Sequence, residues 1–111
     1  MDRMHMKVQP ERWYYHCDQL GILVWQDMVS PTKFIDTKSN LNPSDFELEH
    51  NITVDQLYNH PSIIQWVLFN ESWGQYDTER LTAALKAKDP TRLVINASGW
   101  HDKKVGDIRD F

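Results

Sequence analysis

The sequence predicts an α/β chain in which helices alternate with parallel strands. Three short apolar runs, residues 22–25, 63–69 and 93–95, lack the in-out alternation of a half-exposed strand, which is how strands buried on both faces read. Each run follows a segment with helical signals. Such alternation implies βαβ units and a parallel sheet covered on both sides. In folds of this kind the carboxyl ends of the strands form the ligand face, whether the sheet stays open or closes into a barrel. Here the three runs end in Gln26-Asp27, Asn70-Glu71 and Asn96-Ala97-Ser98, so polar groups converge at one edge.

Taken in order, Pro10 marks a helix start, and residues 11–20 carry Trp13, Tyr14, Cys17 and Leu20 before Gly21 ends the helix. The run 22–25 is then the first strand, closed by Gln26 and Asp27. Residues 30–43 are polar, contain two prolines and show no period, and so read as a loop long enough to bind a ligand. Ser44 can cap a helix whose inward face would hold Phe46, Leu48, Ile52 and Leu57, ending near His60-Pro61. The second strand is 63–69. Residues 78–88 form a helix with Leu81, Ala84, Leu85 and Ala87, stopped by Asp89-Pro90, and 93–95 is the third strand. Residues 99–111 read as a loop followed by the opening of a fourth strand over 105–111.

Composition narrows the classes. The 111 residues are 41% apolar and 25% charged with a formal net charge of −4, enough for one modest domain with its own core. A single cysteine, Cys17, cannot make an internal disulfide and fits a reducing compartment. A pI near 5.6 argues against nucleic acid as a partner. No run approaches the roughly 20 apolar residues that span a bilayer, so no membrane partner is predicted. The N-terminal MDRMHMKVQP has charges but no apolar core, so no signal peptide is predicted within these residues. Five Trp, four Tyr and four Phe suit either a tight core or a carbohydrate site.

Glu71 is the first candidate for chemistry. A carboxyl at the end of an apolar strand, flanked by Trp66 and Trp73, would be partly desolvated, which raises a carboxyl pKa toward the range of a general acid. Asn70 could hydrogen-bond a sugar hydroxyl, and Trp73 offers a ring face to the C–H face of a pyranose. The residues alone leave a plainer alternative open, a helix cap or a solvated loop acid; the same holds for Asp27. Trp13, Tyr14 and Tyr15 lie on a helix and read as packing before they read as a ligand platform. The five histidines, His5, His16, His50, His60 and His101, show no paired metal spacing, so no metal or other cofactor is predicted. The sequon Asn51-Ile52-Thr53 falls inside a predicted helix and is most simply coincidence.

A resemblance adds to this reading. His60-Pro-Ser-Ile-Ile-Gln-Trp66-Val-Leu-Phe-Asn70-Glu71 resembles the fourth-strand signature of glycoside hydrolase family 2, the β-galactosidase and β-glucuronidase family, whose catalytic domain is a (β/α)₈ barrel. Cys17-Asp-Gln-Leu-Gly-Ile-Leu-Val24 resembles the helix-to-third-strand segment of that barrel, and Arg3 falls where the family places an arginine at the end of the second strand. The stretches after Asn70-Glu71 and around Asn96-Ala-Ser-Gly-Trp100 are most like a bacterial β-galactosidase-like subgroup, which leaves cytoplasm and periplasm open. The likeness runs from Arg3 to Phe111. It implies a partial TIM barrel, from about the end of strand two to the start of strand six, with its helices outside.

It also implies a retaining β-glycosidase, in which two carboxyl groups about 5 to 5.5 Å apart act as acid/base and nucleophile. By family position Glu71 is the acid/base, Asn70 contacts the 2-hydroxyl and Arg3 helps orient the nucleophile. Asp27, Trp73, Asn96 and Trp100 are the further substrate-binding candidates. The family's nucleophile is a glutamate at the end of the seventh strand, and Glu47, Glu49 and Glu79 lie on helices where none can replace it. A whole barrel takes about 250 residues, so the expectation is a piece of a catalytic domain, inactive alone. Relatives that bind magnesium use an acid and a histidine where this chain has Met28-Val-Ser-Pro-Thr-Lys33, and relatives with His-Tyr-Pro after the arginine differ from Met4-His5-Met6 here. The alternative from another class is a non-catalytic sugar-binding or self-associating half-barrel, joined through exposed strand edges.

Overall fold

The computed structural model describes residues 1–29, 43–71, 75–99 and 101–109. Four strands, β1 (Asp2–Met4), β2 (Val24–Asp27), β3 (Ile63–Phe69) and β4 (Leu93–Ala97), alternate with three helices, α1 (Glu11–Leu20), α2 (Pro43–Leu57) and α3 (Thr78–Lys88). The sheet runs β1-β2-β3-β4 and every neighbouring pair is parallel. One helix between each consecutive pair is the repeat of a (β/α)₈ barrel, of which this is a partial one. All four carboxyl ends lie at the same edge.

The register assigns the two faces. Arg3, Trp25, Gln65 and Leu93 form one row across the strands, and Met4, Gln26, Trp66 and Val94 form the next, pointing the other way. The second row meets the helices: the Tyr14 hydroxyl of α1 donates to Gln26 at 2.5 Å. At the far end of α3, Asp89 accepts from Trp66 Nε1 at 2.8 Å. In the first row Gln65 is buried, and neither atom of its amide finds a partner among the described residues.

Several elements match the sequence reading to the residue and others move. Helix α1 spans 11–20, and Gly21 closes it in the left-handed region at φ 70°. A side chain there would be strained, which is why glycine follows the helix. The predicted first strand starts two residues late, at Val24: Ile22 and Leu23 are spent on the turn out of α1 and remain exposed. Leu20 is exposed as well. Helix α2 begins one residue early, at Pro43, and its inward stripe is Phe46, His50, Val54 and Leu57. Leu48 and Ile52, expected inside, face outward, because the four-residue spacing from Phe46 runs through His50 and Val54. In α3 the buried set is Thr78, Leu81, Thr82 and Leu85, and Ala84 and Ala87 are exposed. The predicted loop 30–42 lies outside the described residues.

The expected strand over 105–111 is not formed by its described part, 105–109. Asp107 instead lies against the outer edge of β4, donating its amide to Val94 O at 2.7 Å and accepting the Val94 amide on its carboxylate at 2.9 Å. Lys86 of α3 holds the same carboxylate at 2.7 Å. Gly106 passes so close to β4 that an added Cβ would lie 2.8 Å from Asn96 Oδ1 and Val94 O. That approach satisfies an edge group of β4 by a side chain where a ladder was expected.

The core beneath the carboxyl edge is aromatic. Phe46 of α2 stacks on Phe69 of β3 with ring centres 5.6 Å apart, and Tyr76 meets both edge-on. Replacing Phe46 by Ala is expected to destabilise the fold by about 3–5 kcal/mol in urea unfolding. Leu48→Ala should stay within about 0.5 kcal/mol, and the reverse order would restore the stripe read from sequence. His50 gives a pH test. Burial pushes its pKa down to about 4, with Lys88 acting the same way and Glu47 opposing. The unfolded imidazole binds its proton near pH 6.5, so between those values the unfolded chain holds more protons and stability falls as pH drops. The loss should reach on the order of 3 kcal/mol by pH 4, and His50→Leu should flatten the profile over that window.

Candidate active site

Arg3 sits in β1 one residue before its last, Met4, and turns its guanidinium along the carboxyl edge of the sheet. Its Nε donates to Asp27 Oδ1 at 2.9 Å and its Nη2 to Asp27 Oδ2 at 2.8 Å, the paired geometry that suits a planar fork and a carboxylate. The same Nη2 reaches Asn70 Oδ1 at 2.9 Å and Ser98 Oγ at 2.6 Å. One side chain from β1 therefore touches the carboxyl ends of β2, β3 and β4.

Asp27, the last residue of β2, is wholly buried. A carboxylate removed from water must recover its hydration through donors, and Asp27 has three: the two from Arg3 and the Met6 amide at 3.2 Å. Met6 turns into the left-handed region, φ 55°, as the chain leaves β1, and that turn presents its N–H to Asp27. Asp27 thus holds Arg3 in place and offers no open face to a ligand.

Asn70 and Glu71 follow β3 directly and are half-buried. Asn70 is brought into the cluster by Arg3 and by His5, whose Nε2 lies 2.9 Å from Asn70 Oδ1. The Ser98 hydroxyl donates to the Asn70 main-chain carbonyl, and the Ser98 amide donates to Phe69 O at 3.1 Å. Glu71 lies beside Gly99, where an added Cβ would come 3.9 Å from Glu71 Cγ. Gly99 has φ 110°, so only glycine takes this path past the carboxylate without strain. The main chain of Glu71 is tied at its carbonyl to Gln75 Nε2 at 3.5 Å. Gln75 borders an open cleft of about 660 Å³, completed by the first turn of α3 and by His101 and Lys103.

The structure joins Arg3, Asp27 and Asn70 by hydrogen bonds, with Glu71 next along the chain; Asp27, expected among the substrate-binding residues, is instead the buried partner of Arg3. It does not bring Asn96 to them: that side chain accepts the Gly106 amide at 3.3 Å, and Ser98 takes its place beside Arg3. Asn96 and Ser98 are two residues apart, so strand alternation could not choose between them; Ser98 lies past the end of β4, where the chain turns inward. His5 is the other residue that joins the cluster. Trp73 and Trp100 lie outside the described residues. Among the described residues no group of three or more His, Cys, Asp or Glu side chains is placed to hold a metal ion.

Residues 5–110 of this partial barrel match the family described as glycosyl hydrolases family 2, TIM barrel domain. The chain belongs to glycosyl hydrolase family 2. Its relatives include beta-mannosidase B of Aspergillus clavatus, 35% identical over 82 residues, which covers 74% of this chain and 10% of that protein. Beta-mannosidase B of Neosartorya fischeri is 38% identical over 78 residues, 70% of this chain and 9% of that protein. The beta-galactosidase of Leuconostoc mesenteroides is 31% identical over 103 residues, 87% of this chain and 10% of that protein. The chain thus spans about a tenth of the length of these relatives.

The family-2 strand ends depend on the buried aspartate. Asp27→Ala leaves the Arg3 guanidinium without its counter-charge and is expected to lower stability on the order of 3 kcal/mol in chemical denaturation. A change within about 0.5 kcal/mol would show that the pair does not organise the edge.

Proposed function

We propose that this chain is a piece of the catalytic barrel of a retaining β-glycosidase and supplies its general acid/base, Glu71. The observation that supports this most directly is the placement of Glu71 beside Asn70, itself held by Arg3, at the carboxyl edge of parallel strands. Glu71 would protonate the glycosidic oxygen as the bond to the anomeric carbon breaks, then take a proton from the water that releases the sugar. Asn70 contacts the 2-hydroxyl. Arg3, held by Asp27, helps orient the nucleophile. Trp73 and Trp100 provide ring faces for the sugar.

The nucleophile is a glutamate from a later strand of the complete barrel, outside these 111 residues. The substrate is a β-glycoside. Relatives named beta-mannosidase and beta-galactosidase both match, which supports a β-glycoside and no single sugar.

In a chain long enough to carry that second glutamate, Glu71→Gln should cut kcat/KM for a β-glycoside with a poor leaving group by about 10² to 10⁴-fold. An activated aryl glycoside, which needs no proton to depart, should lose far less in its first step. Equal turnover of the poor substrate by wild type and variant would overturn the assignment. The 111-residue chain alone should turn over neither.

A further inference from the structure

We infer that Gln26 and Tyr14 are positioning residues for Arg3: together they brace the turn after β1 so that the Met6 amide closes onto Asp27 and steadies its carboxylate against the guanidinium. The consequence for chemistry rests on the reading of Arg3 as the residue that helps orient the nucleophile.

Residues 5–9 link β1 to α1 and, among the described residues, make no main-chain to main-chain hydrogen bond. Three bonds to side chains take their place. The Met6 amide donates to Asp27 Oδ2 at 3.2 Å, the Lys7 carbonyl accepts from Gln26 Nε2 at 2.8 Å, and the Gln9 amide donates to the Tyr14 hydroxyl at 3.2 Å. Asp27, Gln26 and Tyr14 are wholly buried, whereas His5, Lys7 and Val8 are exposed. A surface turn is thus shaped from within, by side chains of β2 and α1.

The brace is matched atom for atom. Gln26 Nε2 has two hydrogens, which go to Lys7 O and to the Asp27 main-chain carbonyl at 2.7 Å. Its Oε1 accepts from the Tyr14 hydroxyl at 2.5 Å, so that hydroxyl meets the Gln9 amide as an acceptor. The reversed amide would set Oε1 against two carbonyl oxygens, so the network permits one orientation. Burial raises the Tyr14 phenol above its usual pKa, which keeps it a donor. Its ring is set by Trp13, edge-on at 5.0 Å, and by His60 at 5.6 Å.

Met6 needs this support. Its φ of 55° is left-handed, a conformation that a residue with a side chain keeps only where its surroundings impose it. Gln26 fixes the next residue. With the Gln26 amide gone the turn relaxes, and the Met6 N–H leaves the oxygen that also receives Arg3 Nη2 at 2.8 Å. Among the described residues Asp27 then has Arg3 as its one remaining side-chain partner, and the guanidinium loses its fixed plane.

Amide hydrogen exchange followed by NMR on the 111-residue chain reads the brace directly. In the wild type the Met6 and Gln9 amides should exchange at least about tenfold more slowly than the exposed Val8 amide. In Gln26→Met the Met6 and Val8 rates should converge while the amides of β3 stay slow, which shows that the chain is still folded. Where Gln26→Met does not fold, Tyr14→Phe, which removes only the hydroxyl, is read the same way. Equal Met6 and Val8 rates in the wild type, or a difference that survives in the folded variant, would overturn the inference. In the longer, active chain the variant should lower kcat for an aryl β-glycoside about tenfold with KM changed less than about twofold, and in an Arg3→Lys background it should lower kcat no further. An equal fall in both backgrounds would mark Gln26 as merely structural, and no fall in either would show that Arg3 needs no brace. If the wild-type long chain cleaves no β-glycoside while the Met6 amide behaves as expected, the glycosidase reading fails and the brace stands.

Discussion

The carboxyl edge of this protein is organised by one buried charge. Asp27 has no access to water, and a bare carboxylate in that position would cost several kcal/mol. Its three donors offset the cost only in one geometry: the Arg3 fork must lie flat against it, and the chain after β1 must turn left-handed at Met6 to bring an amide within reach. Once Arg3 is fixed so, its Nη2 has a fixed position too. Asn70 and Ser98 then have a donor around which the ends of β3 and β4 align. The site is in this sense a consequence of satisfying Asp27.

The opposite end of the strands shows a different economy. Asp18 of α1 binds His60 at 2.7 Å and the Ser62 amide at 2.9 Å, pinning the entry of β3 to α1. Arg92 at the entry of β4 bonds the carbonyls of Tyr58, His60 and Ile63, pairs with the buried Asp89 at 2.7 Å and lies 5.3 Å from the Trp66 ring. These contacts are spread across elements. They fasten helices to strands. In a barrel, chemistry gathers at one end of the strands and stability at the other, and these residues follow that division.

Much of this was legible in the sequence because the relevant signals are local. The sequence shows the runs Ile63–Phe69 and Thr78–Lys88 to the residue, since a largely apolar stretch, a proline stop and a helical period need no tertiary knowledge. The errors have local causes as well. Ile22 and Leu23 look like strand and serve the turn after Gly21. Leu48 and Ile52 look like core, yet the stripe on α2 follows Phe46 through a histidine that a count of apolar residues passes over. The short β1 escaped the apolar scan, although the position of Arg3 marked its end.

The sequence by itself determined the alternation of helix and strand and the membership in a family, and it singled out Arg3, Asp27, Asn70 and Glu71 as candidates. These follow from patterns within a few residues of each other, or from a long motif. Only the tertiary structure decided what each does for the others. It made Asp27 the buried anchor of Arg3, put Ser98 where Asn96 was expected, and brought His5 to Asn70 across 65 residues of chain. Such pairings depend on the register of β1 against β2 and of β3 against β4. A register is fixed by how whole strands and helices pack, and no single stretch of sequence records it.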